Sequence, residues 1–232
     1  MDPELIARTG HSRAQGMAQR ADRPRQRRSA EPQGSRAAVH VGGVKMSLRA
    51  AGDDESGPLA FTGYASVYER GYEMWDWYGP YTEIVTEAAG AESLARSDLD
   101  VPLVLQHESL RRIARTTNGT LLLAEDETGL RVEAPALDPR DQDVAYIAPK
   151  IRADLIDEMS FMFRITLGQW SPDYTEYRIQ KFDIHRGDVA IVGYGANPHT
   201  GGYPDLRDQA APQNLRIDLG LSVEDVRLRA LV

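Results

Sequence analysis

The alternation of hydrophobic and polar positions along the chain predicts a mainly β protein. The segment LAFTGYASVY, from Leu59 to Tyr68, alternates as a half-buried strand does, with Gly63 as the place of a bulge. Met159 to Thr166 alternates strictly, so Ser160 lies on the face opposite the phenylalanines. VPLVLQ, from Val101 to Gln106, is a short apolar run typical of a buried strand.

Further strands are expected in the middle and at the end of the chain. Thr120 to Ala124 and Leu130 to Pro135 flank an acidic turn with Gly129, which is the pattern of a hairpin. Tyr174 to Phe182 and Asp188 to Tyr194 are two more candidate strands. The total of about seven strands favours an antiparallel β-barrel with a few peripheral helices.

Helices are expected in three places and a loop in one. Glu87 to Ala95 is alanine-rich, and a helix after Asp138, the expected N-cap, is interrupted by Pro149. The pattern from Ser222 onward predicts a short C-terminal helix. Residues 69–82 are rich in Tyr, Trp, Gly and Pro, and are expected to form a long surface loop that leads into a short candidate strand at Tyr81 to Thr86.

Charge divides the 232-residue chain into two parts. Residues 1–45 carry nine basic and four acidic side chains, whereas the rest carries 18 and 31. The first segment has no aromatic residues and few large apolar ones, so we expect a disordered basic extension. Residues 46–204 are expected to form one domain, with a tail at 205–232. The acidic body disfavours nucleic-acid binding, and no apolar run is long enough to span a membrane.

The absence of cysteine limits the chemistry. Disulfides, thiolate metal sites and a cysteine nucleophile are excluded, so covalent catalysis would need Ser, Thr, Lys, Asp or Glu. No glycine-rich phosphate loop is present. His107, His185 and His199 are scattered without metal-ligand spacing, and we expect neither a metal nor a cofactor.

Three residues are candidates for catalysis, and each also has a structural interpretation. Ser160 lies within the most hydrophobic strand, either as a nucleophile on a rigid element or as a small polar residue facing solvent. His107 ends an apolar strand, as a general base or as an ordinary solvated histidine. Asp188 opens the strand DVAIV, as the acid that orients a histidine or as a surface carboxylate. His185 competes with Asp188 for that third role. Spacing alone leaves the function open.

Four motifs in order resemble the phage prohead (capsid maturation) serine protease family of the HK97-like type. They are GYASVY (63–68), LVLQHES (103–109) followed by Arg115 and the hairpin at 119–134, EMSFMF (158–163) and DVAIVGYGANPHT (188–200). The chain departs from the family pattern at several motif positions. These are Gln106, Glu108, Met162, Ala190 and Gly195.

The resemblance implies a catalytic apparatus and a fold. It assigns Ser160 as nucleophile, His107 as general base and Asp188 as the third member, with His185 as the alternative. The family is related in fold to herpesvirus assemblin, which implies a β-barrel, a homodimer and oxyanion donors among backbone amides near the strand that begins at Asp188.

The resemblance also implies a biological role. The expected activity is cleavage of the phage scaffolding protein, of the scaffold-like arm of the capsid protein, and of the enzyme itself. The expected location is the host cytoplasm, inside the procapsid, with no membrane and no specific nucleic acid as partner. The alternative is a catalytically inactive, protease-like scaffold or assembly factor.

Overall fold

The computed structural model of the chain describes residues 2–24, 46–50 and 57–195. The helices are α1 (Pro3–Gly16), α2 (Ala91–Leu94) and α3 (Gln142–Arg152), with a 3-10 turn at Thr116–Asn118. The strands are β1 (Ser47–Ala50), β2 (Leu59–Val67), β3 (Tyr72–Trp75), β4 (Pro80–Val85), β5 (Pro102–Leu105), β6 (Arg112–Arg115), β7 (Leu122–Glu125), β8 (Gly129–Leu137), β9 (Glu158–Trp170) and β10 (Glu176–Val192).

These strands form two sheets. One has the order β1-β2-β8-β7, and the other has the order β3-β4-β10-β5-β6 with β9 paired to β10. The strand β10 runs parallel to β4 and β5 and antiparallel to β9. The mainly β prediction is therefore confirmed, with ten strands in the described part of the chain rather than about seven. No closed barrel is detected among these strands, so the barrel stays a prediction.

The prediction of a surface loop over residues 69–82 is wrong, because β3 and β4 form a hairpin there, whereas the short strand predicted at Tyr81 to Thr86 is confirmed by β4. The aromatic side chains explain the difference: Tyr72 and Tyr81 are buried in the main core. Their hydroxyl groups both donate to the carboxylate of Glu83. Burial of large aromatic surface with satisfied hydroxyls stabilises strands where the glycines and prolines suggested a loop.

The hairpin predicted around Gly129 is confirmed, since β7 pairs with β8 across that turn. A Cβ at Gly129 would lie 1.9 Å from Ser66 O, which explains the glycine. The bulge predicted at Gly63 is wrong, because its pairing with Val132 is regular. A Cβ at Gly63 would instead lie 2.6 Å from Met159 Sδ, so this glycine allows β2 to pack closely against β9.

The helices are shorter or differently capped than predicted. Only four residues of the alanine-rich segment form α2. Helix α3 is capped by Asp141 rather than Asp138, since the Asp141 carboxylate accepts from the amides of Asp143 and Val144. Pro149 lies inside α3 without dividing it. The helix from Ser222 and the tail at 205–232 lie outside the described residues.

The expectation of disorder across residues 1–45 is wrong for 2–24, which include α1; residues 25–45 lie outside the described part. One reason is Arg13, whose side chain is fully buried beside Asp76. Its guanidinium donates twice to that carboxylate at 2.9 Å and once to Tyr174 O at 2.6 Å. It also lies over the Trp170 ring, 4.6 Å from the centroid. The hydroxyl of buried Thr9 also donates to Pro80 O at 3.1 Å. Buried contacts of two residues thus hold a helix that composition alone assigned to a disordered extension.

The two faces of β10 have different environments. Val189 and Ile191 point into the main hydrophobic core. Val104, Ala190 and Val192 form a separate small cluster on the opposite face. No helix in the described residues is long and apolar enough to cross a membrane.

Candidate active site

Three neighbouring strands bring the candidate residues to one face of the larger sheet. Ala190 in β10 pairs with Ser160 in β9 and with Val104 in β5. Directly opposed residues in a sheet point to the same side. Ser160 therefore lies on the face opposite the main core, next to the small apolar cluster. Asp188 pairs with Met162 and shares this face.

A bulge in β10 precedes Asp188. The register with β9 shifts between Asp183 and Asp188, and Arg186 has a φ of 60°. A Cβ at Gly187 would lie 1.8 Å from Met162 O, so the backbones approach too closely there for any other residue. The two strands predicted at 174–182 and 188–194 are therefore one strand interrupted by this bulge.

A tight turn at the end of β5 presents His107. Gln106 and His107 both have left-handed backbone conformations, with φ of 54° and 58°. The Glu108 amide donates to Leu105 O at 2.9 Å and closes the turn, while the Gln106 amide donates to Ile191 O. Two consecutive non-glycine residues with positive φ are unusual and concentrate at functional sites. The chain reverses here, and the imidazole reaches Asp188 across the sheet.

The central contact of the site joins His107 and Asp188. Their Nδ1 and Oδ1 atoms are 2.7 Å apart. The Asp188 side chain is 9% exposed, whereas the His107 side chain is 29% exposed. A buried carboxylate thus holds an imidazole ring that remains partly exposed to solvent. Within the described residues, no other hydrogen bond to the His107 ring is formed.

Ser160 lies close to this pair but is not joined to it. Its hydroxyl is half-buried and makes no hydrogen bond with any of the residues at 2–24, 46–50 and 57–195. Asp188 is its diagonal neighbour across β9 and β10, a position about 7–8 Å away in antiparallel sheets. An imidazole held by Asp188 can bridge a separation of that size.

His185, the alternative third member, has other partners. The Asp100 amide donates to His185 Nδ1 at 3.3 Å, and His185 O accepts from Arg164. Asp100 precedes β5, whereas His107 follows its opposite end. The structure therefore joins Asp188, and not His185, to His107. Among the described residues no group of three His, Asp or Glu could hold a metal ion; His199 lies outside them.

The segment after β10 was expected to supply oxyanion donors. The Gly193 amide donates to Gln106 Oε1 at 3.0 Å, and the Gly195 amide donates to Glu158 Oε2 at 2.6 Å. Both amides are therefore engaged by side chains here. Glu158, which is buried and two residues before Ser160, was part of the motif EMSFMF but not among the candidate site residues. The feature of the sequence that could have identified Glu158 is a charged residue at the start of a strongly apolar strand.

The comparisons with known proteins identify the family of the chain. A serine nucleophile candidate beside a histidine–carboxylate pair is typical of serine peptidases. The family model of the caudovirus prohead serine protease matches residues 45–209. The chain belongs to this family, which implies a phage-encoded serine peptidase of capsid maturation that processes capsid or scaffold proteins within the procapsid. There is no significant match among curated proteins or solved structures.

Proposed function

We propose that the chain is an active serine endopeptidase with Ser160 as nucleophile, His107 as general base and Asp188 as the residue that orients the histidine. Its substrates would be the scaffolding protein or the scaffold-like arm of the capsid protein, and its own chain. The observation that carries the proposal is the 2.7 Å hydrogen bond between His107 and Asp188, on the sheet face that also holds Ser160.

The carboxylate of Asp188 selects the useful tautomer of His107. An ionised carboxylate only accepts hydrogen bonds, so Nδ1 carries the proton and donates it to Asp188 Oδ1. Nε2 then has a lone pair available for the Ser160 proton. When Nε2 is protonated, the nearby negative charge of Asp188 stabilises the imidazolium.

The reaction follows from these positions. Ser160 Oγ attacks the carbonyl carbon of the scissile peptide bond while its proton passes to His107 Nε2. The tetrahedral intermediate collapses, the C–N bond breaks, and Nε2 returns the proton to the departing amine. Water then attacks the acyl-enzyme ester with His107 again as base, which releases the acid and regenerates Ser160.

Co-expression with the capsid or scaffolding protein of the same phage tests the proposal. The wild type should convert that protein to shorter products, identified by mass spectrometry, whereas Ser160→Ala should leave it intact. Ser97→Ala is the matched control, because Ser97 is an exposed serine in the turn after α2 and not part of the proposed triad. Cleavage by Ser160→Ala would overturn the assignment. An intact substrate with the wild type would instead favour an inactive, protease-like assembly factor.

A further inference from the structure

Three arginines surround an open pocket at the edge of the larger sheet. The pocket has a volume of about 230 Å³ and is lined by Asp100, Pro102, Arg112, Arg115, Arg186 and Gly187. Gly187 immediately precedes Asp188, so the pocket adjoins the candidate active site. The proposed triad uses none of these arginines, and only Arg115 belongs to one of the motifs that carry the family resemblance.

The strand register places two of the arginines on the same face as Ser160. Arg112 pairs with Val104, which is followed across the sheet by Ala190 and then Ser160. Arg115 pairs with Pro102 on the same face. Adjacent strands lie about 4.8 Å apart, so Arg112 is about 14 Å from Ser160 along this row. An extended peptide covers that distance in about four residues.

The pocket carries an excess of positive charge. Arg115 is neutralised by Asp100, whose carboxylate accepts two hydrogen bonds from it at 2.7 Å. Arg112 donates to a backbone oxygen, that of Ser109. Within the part of the chain that the structure describes, Arg186 has no ion pair or side-chain hydrogen bond. Asp100 is the one carboxylate of the lining; it is hydrogen-bonded to Arg115 and also interacts electrostatically with Arg186. Three guanidinium groups thus face a single carboxylate, and neither Arg112 nor Arg186 is hydrogen-bonded to it.

The backbone fixes Arg186 in position. Its left-handed conformation lies within the bulge before Asp188, and its amide donates to Asp100 O at 2.8 Å. A non-glycine residue with positive φ persists only when its surroundings hold it there. The same bulge that precedes Asp188 thus brings Arg186 to the rim of the pocket.

We propose that the pocket formed by Arg112, Arg115 and Arg186 is a carboxylate-binding subsite for the substrate. The occupant is an aspartate or glutamate side chain within about four residues of the scissile bond. This inference rests on the proposed function, because the distance to Ser160 matters only if Ser160 cleaves a peptide. A guanidinium group binds a carboxylate through two parallel hydrogen bonds, which gives geometric as well as charge selectivity.

A peptide carboxylate fits better than nucleic acid. The chain after residue 45 has 18 basic and 31 acidic side chains, so an extended polyanion would meet repulsion outside the pocket. A single carboxylate side chain of a peptide bound at Ser160 would be attracted by the positive charge of the pocket alone and would not contact the acidic surface outside it. The preference should weaken at high salt because Arg112 and Arg186 are exposed.

A binding measurement tests the subsite without requiring catalysis. The probes are fluorescent alanine–glycine octapeptides with one glutamate at each position in turn, and their glutamine counterparts, bound to the Ser160→Ala protein. We expect the glutamate peptide to bind about fivefold more tightly at one or two adjacent positions, in line with a single partly exposed charge pair. Equal binding of both sets, including no detectable binding of either, would overturn the proposal.

Variants of the arginines assign the effect to the pocket. The preference should disappear in Arg112→Gln/Arg186→Gln and persist in Arg140→Gln, an exposed arginine paired with Asp138 on a different loop. If the double variant does not fold, the glutamate preference is measured with the two single variants, Arg112→Gln and Arg186→Gln. Loss of binding to a double-stranded DNA oligonucleotide in these variants, without a glutamate preference, would assign the pocket to phosphate groups and contradict the proposal.

Cleavage of the same peptides by the wild type separates this inference from the proposed function. Cleavage without a glutamate preference would refute the proposed subsite and support the proposed peptidase activity. A glutamate preference in binding without any cleavage would support the carboxylate-binding subsite and refute the proposed catalysis. We expect both binding and cleavage to favour the same glutamate position.

Discussion

Two charged clusters lie at opposite ends of the β9–β10 hairpin. They differ in the burial of their side chains and in the number of hydrogen bonds that these side chains make. At the turn end, Arg13 and Asp76 have side chains with no exposed surface, and three hydrogen bonds of Arg13 go to Asp76 and Tyr174. At the open end, His107 and Asp188 share one hydrogen bond, and the histidine ring remains partly exposed.

The difference separates a structural pair from a reactive one. A fully buried ion pair with no exposed atoms holds elements together and offers nothing to a substrate. A carboxylate that fixes one nitrogen of a partly exposed imidazole, on the sheet face that also holds a serine, is arranged for proton transfer. The first cluster should therefore control stability and the second should control activity.

The largest expected effects are on activity at the open end. Removal of the base in His107→Ala should lower kcat/KM by about 10⁵–10⁶-fold, and removal of the orienting acid in Asp188→Ala by about 10⁴-fold. His185→Ala should change it by less than about threefold, because the contacts of His185 are with Asp100 and Arg164 rather than with His107. Steady-state kinetics on a cleaved peptide give all three values. A loss from His185→Ala as large as that from Asp188→Ala would promote His185 to the third role.

A large effect on stability is expected at the turn end. Arg13→Met should destabilise the protein by about 3–5 kcal/mol, because it leaves the Asp76 carboxylate buried without its charge partner. Arg8→Met, on the exposed side of the same helix, is the control. Thermal unfolding and hydrogen exchange of α1 measure the difference. Equal melting temperatures for the two variants would show that the buried pair does not hold the helix.

A smaller effect is expected at the exposed ion pair between Arg115 and Asp100. The hydrogen bonds from Arg115 lower the pKa of Asp100 below its usual value. A carboxyl group with a lowered native pKa stabilises the fold above its unfolded pKa of about 4, and this stabilisation is lost as the pH falls through the native pKa. The melting temperature of Arg115→Gln should therefore be below that of the wild type at pH 7, with the gap closing below about pH 4.

The control for this pair is Arg152→Gln, an exposed arginine in the last turn of α3 without an ion pair among the described residues. Its melting temperature should follow that of the wild type across the whole pH range. A gap for Arg115→Gln that persists undiminished at low pH would show that the pair contributes through packing rather than charge.

The sequence carried much of the information about the candidate site. Alternation placed Ser160 on the face away from the phenylalanines, and the apolar run before His107 predicted β5. Ordered motifs supplied the rest of the candidate set. The contact between His107 and Asp188 could not be read from spacing, because it depends on a turn with two positive φ angles and on the register of β5 with β10.

The fold was less predictable where long-range contacts override local composition. The basic segment 1–45 has the composition of a disordered extension, yet Arg13 finds a buried carboxylate 63 residues away. The aromatic segment at 69–82 has loop-forming residues, yet burial of Tyr72 and Tyr81 makes it a hairpin. In both cases tertiary partners decided the outcome, and local propensity holds no information about them.

Labelling with a fluorophosphonate probe tests the central claim most directly, since the probe reacts with a serine only when a neighbouring base activates it. Peptide mass spectrometry of the labelled wild type should find the modification on Ser160 alone. Labelling should be lost in His107→Ala and retained in Arg8→Met. No labelling of the folded wild type, or labelling of a different serine, would contradict the account.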